Sequence, residues 1–141
     1  MVAIRNGLRW VFEVHPLRRV VTGAALLAVI ASTGRGESSV VHAENGGKLY
    51  AEVCAECHGA ALGGSKGPPL RGAAFLQNWQ HKTARDLYSR ILTTMPADAP
   101  GTLPEETVVD ITIYVLKQNG VDLGSELKAL PESLNTVEIK P

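Results

Sequence analysis

Cys54-Ala55-Glu56-Cys57-His58 carries more information than any other stretch of this 141-residue chain. It sets two thiols two residues apart and an imidazole directly after the second. A C-x-x-C pair alone is open to three chemistries: half of a zinc site, a thiol-disulfide redox pair, or haem attachment. Zinc fails on inventory. A closed structural site needs about four N or S ligands, and outside the motif the chain offers no cysteine and only the scattered His15, His42 and His81. A thioredoxin-like pair belongs between a strand and a helix, and the flanking sequence carries no strand signal. Haem attachment remains, for which C-x-x-C-H is the signature. Each thiol adds across a haem vinyl group to form a thioether, and His58 is delivered to one face of the iron.

The other face can be left open for a small molecule or closed by a second side chain, and methionine there raises the reduction potential. The chain has two methionines, and Met1 is the initiator. Met95 lies in Thr93-Thr94-Met95-Pro96, ahead of the turn-rich Ala97-Asp98-Ala99-Pro100-Gly101. Most methionines fill cores, but a core methionine belongs to an apolar stripe, and this one follows two threonines and precedes a helix-ending proline. Ligation of iron by His58 and Met95 is therefore expected. If Met95 is displaced, the chain becomes a haem enzyme or gas sensor, and His81 and Thr94 are the only nearby polar candidates for an open iron site. Neither stands in a recognisable catalytic arrangement, and His81 otherwise reads as a solvent-facing loop residue.

Around these ligands the chain resembles the class I cytochromes c. Within them it is most similar to the single-haem domains and subunits that take electrons from quinone-dependent alcohol and sugar dehydrogenases. The resemblance runs from about Asn45 to Gly120. It is carried by Gly47-Lys48-Leu49-Tyr50, by Cys54-Ala55-Glu56-Cys57-His58-Gly59 and by Gly67-Pro68-Pro69-Leu70. It continues through Asp86-Leu87, Met95-Pro96, Asp110-Ile111-Thr112-Ile113-Tyr114-Val115-Leu116 and Asn119-Gly120. The dehydrogenase-linked branch is marked by Ala74-Phe75-Leu76 with Trp79, and by Pro100-Gly101-Thr102-Leu103.

The resemblance implies a small all-α class I cytochrome c fold, three main helices and loops wrapped around one covalent haem c. It implies that the Pro68 carbonyl accepts the second ring N–H of His58, a contact that fixes the tautomer and makes the imidazole a better donor. It also implies a place for Trp79 beside the haem, either donating its indole N–H to a propionate or filling the bottom of the crevice. The first and last helices are expected to cross with Gly47 admitting an aromatic, Tyr50 and Tyr114 standing nearby; otherwise Gly47 only frays the helix start beside Gly46. The implied partners are a periplasmic quinoprotein dehydrogenase as electron donor and a terminal oxidase or another cytochrome as acceptor. The chain is thus expected to be an electron-transfer protein of the respiratory chain rather than an enzyme, free or as a subunit of a larger complex.

Arg5, Arg9, Arg18 and Arg19 precede an apolar run of about a dozen residues from Val20 to Ala31, which fits a secretory signal peptide better than a spanning helix. Val41-His42-Ala43 has the small-residue pattern of a cleavage site, so residues 1–43 read as the leader and Glu44 as the start of a periplasmic chain. The alternative is an uncleaved anchor holding the domain at the membrane. Residues 44–120 form the cytochrome c domain and 121–141 an extension. The net charge of zero divides into about +3 on the leader and about −3 on the rest, which argues against nucleic acid as a partner.

Helices are predicted from about Asn45 to Ala55, from Thr83 to Thr94 with a Thr83/Asp86 capping box, and from Pro104 to Asn119-Gly120. Val108, Ile111, Tyr114 and Val115 fall on one side of the last. Leu123, Leu127, Leu130 and Leu134 give the extension an apolar stripe that Pro131 interrupts, and a loosely held tail is expected.

A domain of about 98 residues with few aromatics buries little surface of its own, and a covalent porphyrin would supply much of the missing core. Replacing both Cys54 and Cys57 by alanine should leave a chain without native helical circular dichroism; a well-folded haem-free variant would contradict this dependence.

Overall fold

A computed structural model describes residues 39–124 and 131–140. The arginine-rich leader, its apolar run, and Leu127 and Leu130 of the extension lie outside the described residues. The elements in order are helix α1 (Ser39–Val53), the single turn α2 (Ala55–His58), α3 (Gly72–Trp79), α4 (Ala84–Thr94), α5 (Glu105–Gln118) and a 3-10 helix (Pro131–Thr136). Among the described residues there is no strand, only a lone antiparallel bridge between Thr83 and Glu138. The all-α architecture expected from the sequence holds, with more pieces than the three main helices.

Among the described residues helix α1 already includes Ser39, ahead of the expected cap at Asn45, because Ser39-Val40-Val41-His42-Ala43 contains nothing that breaks a helix. The Ala43–Glu44 boundary therefore falls inside α1. One turn ahead of the glycines, His42 Nδ1 donates to the Asp110 carboxylate of α5 at 2.6 Å.

α1 and α5 make the most extensive helix contact among the described residues. Its closest point is Gly46, which is buried: a Cβ there would run into the main-chain carbonyl of Asp110. Gly47 faces the Tyr114 ring, and a Cβ would lie 3.2 Å from Tyr114 Cε2. Tyr50, one turn on, meets Tyr114 with ring centroids 5.4 Å apart at a 43° tilt. The crossing thus uses both glycines, and the tighter approach belongs to Gly46, a residue the sequence offered only as a neighbour.

α4 starts as predicted. Thr83 Oγ1 accepts from the Asp86 N–H at 3.2 Å, and the Asp86 carboxylate accepts from the Thr83 N–H at 2.8 Å. These two reciprocal bonds satisfy donors that a helix start leaves orphaned. The Thr83 backbone and hydroxyl hold the Asp86 carboxyl below the usual carboxylate range.

α5 is buried on more sides than its sequence stripe predicted. Val109, Thr112, Ile113 and Leu116 are buried together with Val108, Ile111 and Val115, while Tyr114 is half-buried. The reason is that α1 packs on one side of α5 and α4 on another, with the 3-10 helix against α4.

That last contact overturns the expectation of a loose tail. Leu134 and Ile139 are fully buried, and Val137 nearly so. The loop between α3 and α4 takes its backbone partners from the tail: His81 N–H donates to Ile139 O at 3.1 Å, Ile139 N–H to Lys82 O at 2.8 Å, and Ala84 N–H to Val137 O at 2.8 Å. Backbone groups at such a junction have to be paired, and here residues from two distant parts of the chain pair each other.

The crossing yields a test. Gly46→Ala should destabilise the haem-loaded protein by roughly 1–3 kcal/mol or more through overpacking, and Gly47→Ala by less, because a ring can yield where a carbonyl cannot. Denaturant unfolding checks the order; equal losses would mean that the backbone approach does not limit the crossing.

Candidate functional site

The C-x-x-C-H motif forms a hinge of helix between α1 and the loop that follows. Cys54 N–H still donates to Tyr50 O at 2.9 Å, closing α1, and His58 N–H donates to Cys54 O at 2.9 Å, closing the turn α2. Cys54 and Cys57 are thereby one helical turn apart, both as free thiols. Cys54 is half-buried, and burial, followed by the nearby Cys57, pushes its thiol up to about 11. Cys57 is exposed.

His58 is buried, and its Nδ1 lies 2.8 Å from the carbonyl oxygen of Pro68. A carbonyl can only accept, so Nδ1 carries a proton, and in the neutral ring Nε2 is then the nitrogen with the lone pair. Nε2 has no hydrogen-bond partner among the described residues. The back of the ring rests on Gly67, where a Cβ would come within 2.8 Å of Cε1 and 3.0 Å of Nδ1. Only glycine lets the backbone pass this close.

The loop from Gly59 to Arg71 has no helix or strand, yet its backbone is tied throughout. Gly64 N–H donates to His58 O at 2.8 Å, Gly67 N–H to Cys57 O at 2.8 Å, and Leu70 N–H to Leu62 O at 2.8 Å. Tyr50 Oη donates to Gly59 O at 2.7 Å, pinning the loop to α1. Burial, ahead of the nearby Cys54, raises that phenol to about 12. Lys66 pairs with Glu56 at 2.6 Å across the exposed side of the motif. At the far end Asn119, just past α5, bonds to Leu70 and Gly72.

Met95 is half-buried at the end of α4, where its extended backbone (φ −122°, ψ 153°) leaves the helix. The peptide bond to Pro96 is cis. The following loop closes on itself, with Ala99 N–H donating to Pro96 O at 3.0 Å and Gly101 N–H to Met95 O at 3.3 Å. The Met95 sulfur has no hydrogen-bond partner among the described residues. Trp79 ends α3, stacked on buried Phe75 with centroids 6.2 Å apart, and Lys82 Nζ lies 4.9 Å over its ring. Its indole N–H has no partner among the described residues.

The structure brings together Cys54, Cys57, His58 and Pro68 within one turn of helix and its loop; Trp79 and Met95 stand at the ends of α3 and α4. The donor set fits a covalent haem: two thiols one turn apart, an imidazole whose Nδ1–H is taken up by the Pro68 carbonyl, a thioether with no hydrogen-bond partner among the described residues, and a glycine cradle behind the ring. The roles of Gly67 and Asn119 escaped the sequence. Both belong to recognised motifs, but a glycine behind a ring and an asparagine that bridges loops leave no local pattern.

The family model for cytochrome C oxidase, cbb3-type, subunit III matches residues 41–115, just over half of the chain. Among solved structures, a chain of the sulfane dehydrogenase SoxCD from Paracoccus pantotrophus is similar, with a TM-score of 0.55 and 22% sequence identity over 69% of this chain. The match takes in 52% of that chain, so the present chain spans about half the length of its solved neighbour, and the likeness is one of fold. No curated protein gives a significant match.

Gly67→Ala should drive the His58 ring away from the loop and break its bond to Pro68. In NMR spectra the His58 Nδ1–H resonance, protected in the parent protein, should be lost to exchange; a retained, protected resonance would show that the ring tolerates a Cβ behind it.

Proposed function

The chain belongs to the family described as cytochrome C oxidase, cbb3-type, subunit III, and from that premise we propose that it shuttles single electrons from a dehydrogenase to a terminal oxidase or another cytochrome. It is a class I cytochrome c with one covalent haem c, and its chemistry is haem-based electron transfer. When bound, the haem supplies an iron that exchanges one electron at a time. Every other requirement falls on the protein, which must hold the ligands fixed in both oxidation states and keep water and competing ligands out.

Cys54 and Cys57 would hold the group through two thioethers, each formed when a sulfur bonds to a vinyl carbon and its proton ends on the neighbouring carbon. His58 Nε2 and Met95 Sδ would hold the iron. The observation that carries this reading is the His58–Pro68 bond of 2.8 Å, because it fixes the ring's tautomer and orientation before any ligand arrives. The closed turn after Met95 supports the same role for its thioether, since Pro96 ends the helix and the Gly101 bond limits how far the sulfur can move. The resemblance that places Trp79 beside the haem fits its position at the end of α3, stacked on buried Phe75.

A periplasmic location belongs to the same proposal, because thioether attachment to exported chains fits it, with the domain cleaved free or held by its leader. No helix among the described residues is long and apolar enough to cross a membrane. A second reading, a haem subunit of a larger complex, is favoured by the family description, which names an oxidase subunit, and by the neighbour, which is part of a dehydrogenase. The quinoprotein dehydrogenase named from the sequence remains the proposed donor. A native mass taken under mild detergent separates free carrier from subunit.

Absorption spectra of the exported protein, oxidised and reduced, test the ligation. A c-type spectrum with the near-infrared sulfur-to-iron band and no response to carbon monoxide is expected. Met95→Ala should abolish that band and admit carbon monoxide. If the parent protein lacks the band and binds carbon monoxide, the iron site is open and the sensor or enzyme reading takes precedence.

A further inference from the structure

The Asn119 side-chain amide makes three hydrogen bonds, two to the 70–72 stretch and one to the last turn of α5. Its Nδ2 donates to Leu70 O at 2.9 Å and to Val115 O at 2.8 Å, and its Oδ1 accepts from the Gly72 N–H at 2.9 Å. An amide has two N–H donors and a carbonyl acceptor, so no other neutral side chain of this length can replace all three bonds. Gly72 opens α3, and its own cap residue Arg71 provides no side-chain bond. Asn119 therefore satisfies an orphaned helix donor from 47 residues away. The bond to Val115 O anchors the amide to the last turn of α5, whose faces are buried against α1 and α4.

We infer that Asn119 is a positioning residue for the axial imidazole, acting on His58 through the loop that carries Pro68; the inference rests on the proposed ligation of iron by His58. Leu70 and Pro68 are separated by Pro69 alone. Proline fixes φ near −65°, so the Pro68-Pro69 pair has few soft torsions and a displacement at Leu70 is passed to the Pro68 carbonyl. The loop is held near the motif by backbone bonds to Cys57 O and His58 O. At its other end the restraints are the Leu70 N–H bond to Leu62 and the Asn119 amide. Asn119 thus secures the acceptor of the His58 Nδ1–H from behind.

The consequence is electronic as well as mechanical. A strong bond from Nδ1–H to a carbonyl draws the proton outward, makes the ring a better donor and favours ferric iron. Slackening that bond favours ferrous iron, so loss of the Asn119 amide raises the reduction potential. A residue that merely stabilised α5 would lower the melting temperature and leave the potential where it was.

The experiment compares the haem-loaded protein with Asn119→Ala, the milder Asn119→Ser, and Val109→Ala. Val109 is buried on α5, and its truncation destabilises the helix while removing none of the hydrogen bonds that hold the loop. Reduction potentials and exchange of the His58 Nδ1 proton in the reduced state are read by spectroelectrochemistry and NMR. Both Asn119 variants should shift the potential upward and speed that exchange roughly tenfold, the scale of one net hydrogen bond; Val109→Ala should change neither. Unchanged potential and exchange in the Asn119 variants, a downward shift, or an equal response in Val109→Ala would overturn the inference while leaving His58 ligation intact. A separate outcome, a reduced parent protein whose His58 ring protons show no upfield haem shift, would overturn the ligation reading and this inference with it.

Discussion

The bond from His58 to the Pro68 carbonyl is the constraint on which the other features of this small domain converge. For the ring to reach that oxygen, the loop must turn back under it, and Gly67 must leave the space where a Cβ would stand. For the loop to stay there, its backbone must be paired to the motif on one side and to Asn119 on the other. For Asn119 to serve, α5 must be rigid, and its burial between α1 and α4 provides that. The α1–α5 crossing in turn sets α2 at the end of α1, where the two thiols and the imidazole emerge within a single turn. Packing of the hydrophobic core and orientation of the metal ligand are therefore one problem, solved once.

How much of this the sequence revealed depends on whether the cause was local. The C-x-x-C-H motif and the Thr83/Asp86 capping box are local chemistry, and both were read with their boundaries; α4 begins where its cap demands. The Pro68 bond was anticipated from family resemblance, because no property of a proline in isolation points to a histidine ten residues earlier. α3 was missed: it opens on a glycine in the left-handed region (φ +73°), has no cap of its own, and carries a short, weak apolar pattern. Its start is stabilised by Asn119 from a distant part of the chain, a signal that periodicity cannot carry.

The same distinction explains the two ends of the domain. The small-residue pattern at Val41-His42-Ala43 is a local signal for the end of a leader, and it carries no sign that residues 39–43 extend α1 and bring His42 to Asp110. The extension reads as a loosely held tail because Pro131 breaks its stripe. Yet Leu134, Val137 and Ile139 complete the cover over α4, and the backbone of 137–139 supplies partners for His81, Lys82 and Ala84. His81 itself adopts a left-handed conformation (φ +67°) at that junction, where its N–H is paired with Ile139 O of the tail.

Asn119 is followed by Gly120, and Asn-Gly is the dipeptide most prone to spontaneous loss of its side-chain amide, through attack of the glycine nitrogen on the asparagine carbonyl carbon. In this fold the Gly120 N–H is engaged with Lys117 O at 3.0 Å, and the amide it would attack is held by three bonds. Folding thus shields the Asn119 amide from chemical ageing, and the lifetime of that side chain becomes a clock for how often the last turn of α5 opens.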